Sequence, residues 1–204
     1  MVISVEEHSK NQNKKKNIIE KYNSSSHFYD KRYKKIQKEK YEILLKNYKA
    51  HGKIILDLGC GTGLSFDYMS KLFKRQGDIK TIYVGLDISW NMLLEFKSKI
   101  INFSDYKNIL NLILSDIEYL PLRENIFCSI FSLTSFQNLS YIQNGIEESF
   151  RVSKNNADYK LSILKKKIKF ESLLNLLKPK IKKLVVLETE NLEDFIVEGK
   201  ISKE

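Results

Sequence analysis

The stretch Lys53-Ile54-Ile55-Leu56-Asp57-Leu58-Gly59-Cys60-Gly61-Thr62-Gly63 decides the fold. Its first half is a short apolar run, apolar on both faces of an extended chain, which is how a strand buried in a parallel sheet reads. Its second half alternates glycine with small residues, and glycine permits positive φ and close backbone approach to a ligand. The apolar spacing from Leu64 to Phe73 predicts a helix directly after the glycines. A helix start offers backbone N–H groups with no partner in the helix. Strand, glycine turn and helix N-terminus together suit a nucleoside or a carboxylate.

The pattern repeats outward. Gly77-Asp78 marks a turn, and Thr81 to Leu86 reads as a second strand ending at Asp87. Ser89 is placed to cap a helix carrying Met92, Leu93, Phe96 and Ile100. Ile109 to Ser115 is a third strand and Ile126 to Leu133 a fourth. Leu139, Ile142, Ile146 and Phe150 fit one helix face. Tyr159 to Leu164 is a fifth strand, followed by a helix through Phe170, Leu173, Leu174 and Leu177 that stops before Pro179. Lys183 to Leu187 and Phe195 to Val197 close the chain. Strands alternating with helices argue for a mostly parallel α/β sheet with helices on both faces. The last two strands have too short a link for a parallel crossover, so that pair is expected to be antiparallel.

Upstream of the glycines, Tyr33 to Tyr48 has helical spacing and Gly52 ends it. Residues 1–26 are polar, with Lys14-Lys15-Lys16 and Ser24-Ser25-Ser26, and read as a mobile arm. Residues 27–204 then form a single domain. With 204 residues and 42% apolar content, one full-sized core is expected. There is no apolar run of membrane-spanning or signal-peptide length. Cys60 and Cys128 stand apart, without a metal-ligand pattern, which fits a reducing cytoplasm. The formal charge of +10 suits contact with nucleic acid, although it also fits a Lys-, Asn- and Ile-rich composition with no such role.

In an open α/β sheet, ligands bind beyond the carboxyl ends of the strands. Three blocks place polar groups there. The glycine turn is the first. Asp87, after the second strand, can accept both hydroxyls of a ribose. Asp116, after the third, can accept from an adenine amino group, with Ile88 and Ile117 on either side of the ring. The competing reading makes Asp87 and Asp116 turn residues, and Trp90 and Met92 packing residues. Cys60 is a small filler between glycines; nothing near it in sequence offers the base a nucleophile needs.

These blocks, Asp57–Gly63, Val84-Gly85-Leu86-Asp87-Ile88-Ser89 and Ser115-Asp116-Ile117-Glu118-Tyr119-Leu120-Pro121-Leu122, resemble the class I S-adenosylmethionine-dependent methyltransferases in order and spacing. The likeness runs from about Tyr29 to about Val197. It differs from the nicotinamide-binding G-x-G-x-x-G, because position 64 is Leu and the third glycine comes one residue early. The resemblance implies a Rossmann-like seven-stranded sheet and S-adenosylmethionine as cofactor. It implies that Asp57, Gly59, Cys60, Gly61 and Gly63 form the methionine-side loop. It assigns Asp87 to the ribose with Ile88 beside the adenine, Asp116 and Ile117 to the adenine edge, and the stretch from Ser132 to Phe136 to the place where cofactor and acceptor are held. Tyr29 and Tyr33 belong to a helix that covers the pocket in such proteins, or else merely pack on the sheet.

Methyl transfer from a sulfonium needs alignment and exclusion of water more than it needs a general base. No catalytic residue announces itself; His8, His27 and His51 lie outside the strand-end loops. The loop Ser132-Leu133-Thr134-Ser135-Phe136-Gln137-Asn138 lacks the Asn/Asp-Pro-Pro-Tyr/Phe signature of amino-group methylating members. Phe136 can stack on a base, and Gln137 or Asn138 can bond its edge. Lys165, in Lys165-Lys166-Lys167, can hold phosphates. The expected activity is methylation of tRNA or rRNA. The alternative is a small-molecule acceptor, quinone- or lipid-like, and the third reading is a non-catalytic binding module. Strand 109–115 is apolar on both faces, and in the strand order that the resemblance implies it lies at the sheet edge, open to a partner unless flanking helices or a second copy cover it. Some RNA-modifying relatives cover that edge with a small zinc-binding activator subunit, the expected partner here besides RNA.

Overall fold

The computed structural model describes residues 5–50, 52–78, 80–100 and 109–203, the side chains of residues 5–8 excepted. His8 as a side chain, and His51, therefore lie outside the described residues.

A helix α1 (Val5–Leu45) leads into strand β1 (Ile54–Leu58), α2 (Leu64–Arg75), β2 (Ile82–Asp87), α3 (Trp90–Ile100) and β3 (Leu110–Leu114). Then come β4 (Phe127–Leu133), α4 (Ile142–Val152), β5 (Ser153–Leu164), α5 (Phe170–Leu177), β6 (Ile181–Glu188) and β7 (Asp194–Ile201). The seven strands form one sheet in the order β3-β2-β1-β4-β5-β7-β6. β3, β2, β1, β4 and β5 are parallel, and β7 lies antiparallel between β5 and β6. The Rossmann-like sheet expected from the sequence is thus the observed one. The order reverses between β1 and β4, and such a reversal opens a crevice at the carboxyl ends of the strands.

Each face of the sheet has its own apolar layer. Ile55, Tyr83, Phe131 and Ile196 point to α1, α2 and α3, where they meet Leu44, Met69, Phe73 and Phe96. Their alternates Leu56, Leu58, Ile130, Tyr159 and Val197 point to α4 and α5, against Ile146, Phe150, Leu173 and Leu177. The period-two alternation of a strand delivers side chains to both layers, so the central strands must be apolar throughout.

Two segments differ from their sequence reading. β5 begins at Ser153 rather than Tyr159, because exposed Lys154, Asn155 and Asn156 carry no apolar alternation. The polar stretch read as an arm is helical from Val5 and continuous with the Tyr33 segment. From Asn11 onward it is tied to the body. Asn11 donates to the Tyr141 hydroxyl, Lys14 to the Leu139 carbonyl, and Asn138 to the Tyr22 hydroxyl at 2.9 Å. Asn23 Oδ1 accepts from the Ser89 hydroxyl at 2.7 Å and from the Asn91 amide at 3.1 Å. The inward stripe of this half is mostly polar, so a search for apolar periodicity passes over it. Among the described residues no helix is long and apolar enough to cross a membrane.

Candidate functional site

Two adjoining cavities open at the carboxyl ends of β1, β2, β3 and β4, and α1 roofs them. The larger has about 650 Å³ of space counting its open mouth. Gly59 and Gly61 form its floor, Asp87 and Ile88 one wall, Asp116 and Ile117 another, and Tyr22 and Tyr29 its roof. Thr134, Ser135 and Asn138 close the side beyond β4. The smaller lies under α1 between Gln37, Tyr41, Asp57, Thr62 and Ser65, and shares Tyr29, Gly59 and Gly61 with the first.

The glycine turn is fastened to the second strand. Gly59 and Cys60 N–H both donate to Leu86 O, at 2.7 and 3.0 Å, and Gly61 N–H donates to Asp87 Oδ2 at 2.9 Å. Gly59, Gly61 and Gly63 all have positive φ, at 78°, 53° and 81°. They serve different ends. A Cβ on Gly63 would stand 2.3 Å from the Phe96 ring, so that glycine is demanded by packing. A Cβ on Gly61 would meet no protein atom within 4 Å; it would enter the cavity. Gly63 caps α2 without any side-chain hydrogen bond, and Leu64 and Ser65 line the smaller cavity. The N–H groups at a helix start suit a carboxylate.

Asp87 Oδ1 also accepts from Ser89 N–H at 2.8 Å, while Ser89 Oγ caps α3 by accepting from Met92 N–H at 3.2 Å. Asp87 therefore both braces a turn and faces the cavity. Burial pushes its carboxyl above the usual range, against the pull of three backbone N–H groups. Asp116 Oδ1 accepts from Glu118 N–H at 2.9 Å, and its Oδ2 lies 2.6 Å from the Lys15 ammonium. Lys15 also stands 2.9 Å from Glu118 Oε2.

Asp57 faces elsewhere than the turn. Its Oδ2 accepts from the Ser65 and Tyr83 hydroxyls, and full burial raises its pKa to about 6. It thus ties α2 to β2 while bordering the smaller cavity, and does not receive the glycine-turn amides. Burial likewise pushes the Cys60 thiol well up, so the filler reading of Cys60 fits.

Of the residues expected at the site, Tyr29, Gly59, Gly61, Asp87, Ile88, Asp116, Ile117 and Asn138 line the larger cavity, and Asp57 and Cys60 the smaller. The rest lie outside both linings. Gly63 packs on Phe96. Ser132 donates to Leu58 O at 2.7 Å and holds β4 to β1. Phe136 is fully buried beneath α4 and cannot stack on a base. Gln137 turns back to the Thr134 carbonyl. Tyr33 packs on Tyr29, with ring centroids 4.6 Å apart. Lys165 donates to the Thr189 carbonyl at 2.9 Å and pairs with Glu188, away from the cavity. His27 sits on the exposed side of α1 beside Glu95.

Sequence reading passed over Lys15, Ile18 and Tyr22, which come from the supposed arm, and Gln37 within the next turns. It gave no site role to Glu118 or Leu139 and set Met92 down as packing alone, whereas Thr134 and Ser135 fall within the loop expected to hold cofactor and acceptor. Thr134 carries a signal only coordinates reveal. It is β-branched at φ 57°, a conformation such residues rarely adopt. Its hydroxyl is held by Lys40 at 2.8 Å, Asp194 at 3.0 Å and Ser162 at 3.1 Å. Lys40 and Asp194 form an almost wholly buried ion pair at 2.8 Å.

Residues 56–159, about half of the chain, match the model of the methyltransferase domain family. The chain belongs to the class I S-adenosylmethionine-dependent methyltransferases. The chain is 36% identical over 141 residues to a malonyl-[acyl-carrier protein] O-methyltransferase of Buchnera aphidicola subsp. Baizongia pistaciae (strain Bp), covering 69% of this chain and 51% of that protein. It is 37% identical over 100 residues to a ubiquinone/menaquinone biosynthesis C-methyltransferase of Wigglesworthia glossinidia brevipalpis, covering 49% and 38%. The chain thus spans about half the length, or less, of these curated relatives. Its fold matches magnesium protoporphyrin IX methyltransferase from Synechocystis PCC 6803, solved with bound S-adenosylmethionine. There the TM-score is 0.70 at 18% identity, over 93% of this chain and 97% of that one. The cofactor of this methyltransferase domain is S-adenosylmethionine. The open space over Gly61, the uncapped start of α2 and the cavity-facing carboxylates of Asp87 and Asp116 fit its carboxylate, ribose and adenine.

Proposed function

We propose that this chain is a methyltransferase acting on a small molecule. The observation that carries the reading is the likeness to the two curated relatives, one named for a malonyl group on an acyl-carrier protein and the other for ubiquinone/menaquinone biosynthesis. RNA, the acceptor favoured by charge, gains no support from those names.

The shape of the site favours the same reading. Besides the residues that fit the nucleoside, the larger cavity is lined beneath α1 by the apolar side chains of Ile18, Tyr22 and Leu139, which suit a compact acceptor. The lysines nearest it are turned inward: Lys14 to the Leu139 carbonyl and Lys15 to Asp116 and Glu118. Lys165 is likewise bound within the chain. A polynucleotide needs such groups free for its phosphates.

When bound, the cofactor supplies an activated methyl group and a neutral thioether leaving group. The chain's own contribution is to fix the nucleoside through Asp87 and Asp116, to shield the site from water with α1, and to close the acceptor side with Thr134, Ser135 and Asn138.

Methyl-tritiated cofactor incubated with the full chain and separate pools of quinone precursors, acyl thioesters, free carboxylic acids and total RNA tests this. Label in an extractable small molecule is the expected result. Label confined to RNA, and lost on ribonuclease treatment, would overturn it. The strand-adding partner belongs to the RNA reading; β3 is the edge strand it would require.

A further inference from the structure

Five buried side-chain oxygens lack a hydrogen-bond partner among the described residues. Two of them, Glu118 Oε2 and Asp194 Oδ1, are ion-paired to Lys15 and Lys40. Of the remaining three, on Gln37, Gln137 and Thr189, Gln37 alone borders either of these two cavities. Gln37 is 4% exposed, and its side chain meets the Tyr29 phenol. A buried acceptor left unpaired costs stability, so its retention calls for an occupant.

The cavity it borders is the one beside the uncapped N-terminus of α2, where a carboxylate fits. An amino acid carries an ammonium next to that carboxylate, and the ammonium needs acceptors. Several of the other acceptors there are engaged within the chain. Asp57 Oδ2 takes two hydroxyls. The Thr62 hydroxyl donates to Asp30, and the Gly59 carbonyl accepts from Ser135. Gln37 Oε1 is free.

We propose that Gln37 binds the α-ammonium of the cofactor's methionine end, so that α1, and not only the glycine turn, reads the charged half of the ligand. The inference rests on the cofactor reading of the two cavities and adds a specificity residue to it. Tyr29, about two helical turns earlier in α1, borders both cavities and links the ammonium site to the nucleoside site.

Calorimetric titration of the full chain with S-adenosylmethionine and with 5′-methylthioadenosine tests it, because the second ligand lacks the amino-acid end. Gln37→Leu is expected to weaken the first ligand by about tenfold or more and to leave the second within about twofold. Gln37→Glu, which keeps the acceptor, is expected to bind S-adenosylmethionine at least as tightly as the parent. Equal weakening of both ligands by Gln37→Leu, or no weakening, would overturn the proposal. So would loss of binding in Gln37→Glu, since the ligand would then be using a donor. If the parent bound neither ligand, the cofactor reading itself would fall.

Discussion

Lys15 and Asp116 stand 101 positions apart in the chain, yet the Lys15 ammonium lies 2.6 Å from Asp116 Oδ2. Glu118 shares the same ammonium at 2.9 Å. The pair fastens the amino-terminal half of α1 to the loop expected to hold the adenine edge. The roof of the site is therefore held by charge at its far end.

Reversing that charge should release the roof. Lys15→Glu sets a third carboxylate beside Asp116 and Glu118, at a cost of about 1–2 kcal/mol for a partly buried pair. Amide hydrogen exchange through residues 11–26 is expected to quicken about tenfold or more, while β1 and β4 keep their protection. Unchanged protection in residues 11–26 would show that the neighbouring contacts of Tyr22 and Asn23 suffice.

Gly61 and Gly63 should fail in different ways. Gly63→Ala drives a methyl into Phe96 and is expected to destabilise the fold by roughly 2–4 kcal/mol, lowering the melting temperature. Gly61→Ala meets no protein atom and costs only the left-handed backbone, about 1 kcal/mol. Its methyl occupies the cavity, so cofactor affinity is expected to fall much further than stability. Melting and calorimetric titration of both variants separate the two effects.

Asp57 gives the fold a pH signature. Its pKa in the folded protein is raised to about 6 by burial, above the ordinary 3.8. The folded state thus binds more protons than the unfolded state across that interval, and stability falls as pH rises through it. The full effect is on the order of 3 kcal/mol. Asp57→Asn keeps an acceptor for Ser65 and Tyr83 and cannot ionise. Urea unfolding between about pH 4 and pH 7 should show this decline in the parent and its loss in the variant.

The buried pair of Lys40 and Asp194 should behave as a unit. Lys40→Met strands the Asp194 carboxylate beneath α1, at an expected cost of about 3–5 kcal/mol. Lys40→Met with Asp194→Leu removes both charges and should recover more than half of that loss in urea unfolding. Because both side chains hold the Thr134 hydroxyl, the double variant is expected to regain stability without regaining parental cofactor affinity.

The parts legible in the sequence share one property: their signal is local. The apolar runs of β1, β2 and β4, the turn glycines, and Asp87 at the end of its strand need only near neighbours to be read. The antiparallel pairing of β6 with β7 followed from a connection too short for a crossover. The misplaced residues lack such a signal. Nothing in Phe136-Gln137-Asn138 tells that the first ring turns under α4 while only the third side chain reaches the cavity. Nothing in Lys165 tells that its ammonium is spent on Thr189 and Glu188.

The glycine turn, the strand alternation and the order of the acidic residues were determined by sequence alone, because backbone freedom and apolar period are properties of neighbouring residues. The roof over the turn was decided only by tertiary structure. A polar helix face is stable there because partners from distant segments receive each group: Asp116 for Lys15, Asn138 for Tyr22, Ser89 for Asn23. Those contacts close the site above Gly61, and no reading of residues 1–26 in isolation contains them.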